Sequence, residues 1–63
     1  MLRLMYERRK KGLTQTQLAT KIGVSRVTIN KWETGKSTPS VEMLLKLSEF
    51  FNVSVDCLLG KVD

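Results

Sequence analysis

No histidine occurs in this chain, and cysteine occurs once. Together these absences remove most enzyme chemistry. Serines are present, but a serine with no base is not a nucleophile. A single Cys57 forms neither a Cys/His metal cluster nor an internal disulfide. Neither a paired-carboxylate motif nor a Gly-rich phosphate loop of the P-loop kind is present. The expectation is a protein that is not an enzyme and needs no metal, cofactor or small-molecule ligand. No apolar run approaches the ~20 residues that span a bilayer. No charged start leads into an apolar stretch of the signal-peptide type either. No membrane partner is expected, and the expected compartment is the cytoplasm, which suits a lone thiol. β-Branched residues never alternate over a strand length, so no sheet is expected.

Acids are scarce where cations are dense. The chain has 63 residues and a formal net charge of +5. Residues 8–36 hold eight cations (Arg8, Arg9, Lys10, Lys11, Lys21, Arg26, Lys31, Lys36) against Glu33 alone, a net +7. The remainder carries three cations against five acids, a net −2. A basic half beside a mildly acidic half is the electrostatic footprint of a nucleic-acid binder. A solvated basic face has the same composition, so charge alone leaves both readings open. The length allows one domain, over 1–63. Such a domain buries only about 60% of its unfolded surface, which leaves a thin core and no deep cavity.

Caps and breakers divide the chain into five short helices. The first runs from about Leu2 to Lys11, with Leu4, Met5 and Arg8 on one face, and stops at Gly12. The second opens on Thr14-Gln15-Thr16-Gln17, a capping box, and carries Leu18, Ala19 and Ile22 at helical spacing. Gly23 ends it. The third starts at the N-cap Ser25, with Ile29 and Trp32 on its inner side. Thr34 to Pro39 reads as a loop. The fourth begins near Pro39 and Ser40 and has Val41, Leu44, Leu45, Leu47 and Phe51 as its apolar side, with Asn52 as terminator. The fifth is one to two turns from Ser54, with Val55, Leu58 and Leu59 turned inward. Ser48 is expected to be buried and bonded to its own helix.

The strongest signal is the segment Thr14 to Glu33. Two helices joined by a short turn with glycine cross steeply only if their contact residues are small. Ala19 supplies the small residue, Gly23 the turn, and Val24 the plug at the corner. At 100° per residue, with Ile29 inward, the outer face of the third helix holds Arg26, Val27, Thr28, Asn30 and Lys31. Arg and Lys donate to guanine, Asn pairs with adenine, and an apolar Val27 matches thymine methyls. A neutral surface valine is the bland alternative. Gln15 lies at the start of the second helix, where amides and dipole favour a phosphate.

This pattern resembles the lambda repressor and Cro type, the Xre-like helix-turn-helix family of bacterial and phage regulators. The matching residues are Arg8, Gly12-Leu13-Thr14-Gln15, Leu18-Ala19, Gly23-Val24-Ser25, Ile29, Trp32-Glu33, Gly35-Lys36, Pro39-Ser40, Leu44-Leu45 and Val53-Ser54-Val55-Asp56. They cover the chain from about Leu4 to Leu59. The resemblance implies an all-α, compact five-helix bundle with the helix-turn-helix in its second and third helices. It implies a sequence-specific regulator of transcription, most often a repressor, that binds an inverted repeat of double-stranded DNA as a homodimer. The third helix, about Ser25 to Glu33, enters the major groove. Arg26, Val27, Thr28, Asn30, Lys31 and Gln15 are then base readers. Thr14, Gln15, Lys36, Ser37 and Lys10 are phosphate contacts, with Lys10 equally open to solvation. Arg8 and Glu33 form a structural ion pair. Phe50, Cys57 and Leu59, around the fifth helix, are candidates for the dimer contact. A protein-interaction module on the same fold, such as an antitoxin-like partner, is the alternative.

Overall fold

Four of the five helices begin where a side-chain hydroxyl meets a backbone amide three residues on. The computed structural model describes residues 2–61; Met1, Val62 and Asp63 of the expected domain 1–63 lie outside the described residues. Thr14 caps α2 (Gln15–Ile22), Ser25 caps α3 (Arg26–Thr34), Ser40 caps α4 (Val41–Phe51) and Ser54 caps α5 (Val55–Leu58). Each cap satisfies an amide that no helical carbonyl can reach, worth about 1 kcal/mol. Helix α1 (Leu4–Lys10) starts without a side-chain cap. Its entry is held from the far end of the chain instead, by the Arg3 N–H donating to the Leu58 carbonyl at 2.7 Å.

The stops are equally local. Gly23 takes a φ of 87° and donates to the Ala19 carbonyl, which also accepts from Val24. That left-handed residue turns the chain between α2 and α3 where a Cβ would strain it. Asn52 ends α4 at φ 56°, the one positive φ outside glycine among the described residues. Asparagine tolerates this conformation better than other side chains.

One core joins all five helices: Leu4, Leu18, Ala19, Ile22, Ile29, Trp32, Leu47, Phe51 and Leu58, with Leu13, Val24 and Val53 packed at its edge. The main packed pairs are α2 on α3, α4 on α5 and α1 on α3. No strand occurs among the described residues. None of their helices is long and apolar enough to cross a membrane.

Several sequence expectations shift in detail. Helix α1 starts at Leu4 rather than Leu2, and its buried face is Leu4, Glu7 and Arg8, with Met5 half-buried. The apolar side of α4 is narrower than expected. Leu44, Leu47 and Phe51 face the core, but Val41 is 73% and Leu45 54% exposed. At 100° per residue these two lie about 90° and 130° from the centre of the buried arc, beyond the reach of a thin core. Only Leu58 of α5 is fully buried; Val55 and Leu59 are half-buried, because one helical turn presents only one residue fully inward. Ser48 is half-buried, and its hydroxyl donates to the Val53 carbonyl beyond the helix end, not to its own helix. The Val53 N–H returns to the Ser48 carbonyl, so the pair closes the α4–α5 corner.

Candidate nucleic-acid interface

Helix α3 is divided lengthwise. Ile29 and Trp32 face inward and are buried. Arg26, Val27 and Lys31 face out, with Val27 51% exposed. Thr28 and Asn30 flank them, half-buried. Thr28 is tied into the cap as well: its N–H donates to the Ser25 hydroxyl oxygen, and the two hydroxyls lie 3.0 Å apart. The outer surface is therefore two cations around an apolar residue, with polar groups at its edges.

The start of α2 meets the end of α3, where Gln15 bonds to Glu33. The Thr14 hydroxyl oxygen accepts from the Gln17 N–H at 3.1 Å, and the Gln17 side chain accepts from the Thr14 N–H at 2.9 Å. The capping bond occupies the oxygen of Thr14 as an acceptor, so its own O–H remains free to donate.

Arg8 and Glu33 join α1 to the end of α3. The guanidinium donates through Nε to Glu33 Oε2 at 2.6 Å and through Nη2 to Oε1 at 3.2 Å. Its Nη1 donates to the Leu13 carbonyl at 2.7 Å. The Glu33 side chain is fully buried and that of Arg8 only 10% exposed. A third donor reaches the same carboxylate: Gln15 Nε2, at 3.0 Å from Oε1. Sequence reasoning did not find that bond, which spans eighteen positions and has no local signature.

The helix-turn-helix family model matches residues 4–56. This chain belongs to the lambda repressor/Xre-type helix-turn-helix family. Within that family it is 49% identical over 58 residues to the HTH-type transcriptional activator BcrR of Enterococcus faecalis, covering 92% of this chain and 28% of the relative. It is 41% identical to the HTH-type transcriptional regulator ImmR of Bacillus subtilis, over 94% of this chain and 46% of the relative. It is 36% identical to the cryptic phage CTXphi transcriptional repressor RstR of Vibrio cholerae, over 94% and 53%. The chain thus spans between about a quarter and half the length of these relatives.

The other candidate positions are spread over the fold. Lys36 and Ser37 are exposed just past α3, and both backbone N–H groups donate to the Lys31 carbonyl, which steadies the loop. Lys10 is exposed and its ammonium lies 5.9 Å from the Tyr6 ring centre, with Arg3 at 4.6 Å. By helical rotation Lys10 is about 200° from Arg8, so it points away from α3. Phe50, Cys57 and Leu59 are half-buried. Phe50 meets Phe51 edge-on at 5.0 Å and lies under the Lys11 ammonium at 5.4 Å. Glu7, only 5% exposed, went unnoticed in the sequence as a buried group. Its spacing from Leu4 and Arg8, three before and one after, is the signal that places it on the inner face.

Proposed function

We propose that this chain is the DNA-reading domain of a transcription regulator, with the outer face of α3 set in the major groove. The observation that carries this is the exposed row Arg26, Val27 and Lys31, held outward by the buried Ile29 and Trp32 of the same helix. Arg26 and Lys31 donate to guanine, Asn30 pairs with adenine, Val27 packs on thymine methyls, and Thr28 and Gln15 complete the base contacts. Thr14, Gln15, Lys36 and Ser37 hold phosphates, and Lys10 adds attraction from its place over Tyr6. The net +7 of residues 8–36 supports this division of labour. An unbiased binding-site selection at moderate salt tests it: a single enriched motif is expected, and no enrichment would sink it.

We propose further that two copies bind an inverted repeat, with half-sites about 34–36 Å apart and contact around Phe50, Cys57 and Leu59. The regulator acts as a repressor. Occupying a promoter needs no surface beyond the DNA-binding face, which supports repression, although an activator is among the named relatives. It works in the cytoplasm of a bacterium, encoded by the host or by a phage.

Two substitutions separate base reading from phosphate holding. Val27→Ala should alter preference at one or two base pairs by about 1–3 kcal/mol, read from repeated selection. Equal weakening on all sequences would make Val27 structural. Lys36→Ala should instead weaken every sequence alike. It should also reduce the slope of log affinity against log salt by about 0.9 for the lost phosphate contact. An unchanged slope would remove Lys36 from the phosphate set.

A further inference from the structure

We propose that the Arg8–Glu33 pair acts on DNA recognition through Gln15, by fixing which end of its amide faces the DNA. This rests on the reading of Gln15 as a DNA contact. A carboxylate only accepts hydrogen bonds, so the group 3.0 Å from Glu33 Oε1 has to be the NH2 end of the Gln15 amide. Turning the amide round would set its carbonyl oxygen against the carboxylate, acceptor against acceptor. Glu33 cannot move aside to allow it. Its side chain is fully buried, and two guanidinium nitrogens of Arg8 hold both of its oxygens.

The consequence lies at the open edge. Gln15 is the first residue of α2 and half-buried, with its amide nitrogen held by Glu33. One N–H is engaged; one N–H and the carbonyl oxygen remain. If Glu33 holds the N–H trans to the carbonyl, the cis N–H and the oxygen form a donor–acceptor pair that matches adenine, which offers an N6 amine and an N7 acceptor in the major groove. A phosphate has only acceptors and would use the N–H alone. A long side chain held before DNA arrives also loses less freedom on binding. Gln15 is thus a preset adenine reader, and Glu33 and Arg8 are its positioning residues.

Selection with the wild type, Gln15→Ala and Glu33→Gln decides the point, with thermal unfolding followed for each. Both variants should flatten one adenine preference on the order of tenfold, while the preferences set by Arg26, Val27 and Lys31 survive. Combining the two substitutions should flatten that position no further. If Glu33→Gln lowers affinity equally on every sequence, or if the double variant is additive at that position, the inference fails. A wild type that selects no site fails the underlying reading of function instead. Should Glu33→Gln not fold, side-chain NMR relaxation on the free wild type decides. The Gln15 NH2 should have an order parameter near the ~0.85 of rigid backbone, and a value below about 0.6 overturns the proposal.

Discussion

Replacing Arg8 with alanine is expected to unfold much of this protein at 25 °C. The Glu33 side chain is fully buried, and Arg8 supplies two of its hydrogen bonds and the compensating charge. Removing one partner of a buried ion pair costs about 3–5 kcal/mol, because the other charge stays buried and unpaired. The Leu13 carbonyl loses its guanidinium donor in the same change. At roughly 0.05–0.15 kcal/mol per residue, a chain of this length has about 3–9 kcal/mol in total. The loss is therefore comparable with the whole. Urea denaturation followed by circular dichroism measures it, and a loss under about 1 kcal/mol would show that Glu33 finds other compensation. Arg8→Lys should rescue only part, since an ammonium cannot span both carboxylate oxygens and Leu13 together. Arg8→Met with Glu33→Leu, which removes both charges, should be far milder than Arg8→Ala alone.

Ile29→Ala comes second in size, at about 2–5 kcal/mol. Ile29 has no exposed surface and lies in the middle of α3, against both α2 and the body of the core. The cavity it leaves cannot collapse easily in so small a core. Its effect on DNA should follow the folded fraction: weaker apparent binding near the melting temperature, with unchanged base preference. Val27, two residues earlier on the opposite face, should show the reverse, a nearly constant melting temperature with altered preference. A changed base preference in Ile29→Ala at temperatures where it is fully folded would contradict this separation.

The contrast between those two residues shows what was legible in advance. Helix starts and stops are local events. Thr14, Ser25, Ser40 and Ser54 cap amides three residues away, and Gly23 and Asn52 turn the chain through their own backbone preferences. The inward and outward faces of α3 follow from a fixed 100° rotation once Ile29 and Trp32 are taken as inward. The identity of the family was carried by residues spread over nearly the whole chain, and its model matches residues 4–56.

The sequence by itself determined helices α2 to α5, the turn between α2 and α3 and the outer face of α3, because each depends on neighbours within about two helical turns. Tertiary structure alone decided the rest. The core is too thin to reach round α4, so Val41 and Leu45 stay in water although leucine and valine elsewhere in the chain are buried. Tyr6 draws Arg3 and Lys10 to the outer side of α1, and Ser48 finds Val53 at the next corner. Most consequentially, folding brings Arg8, Gln15 and Glu33 together from three helices. A buried anion gathers whatever donors the packing places within reach, and no spacing along the chain specifies which those are.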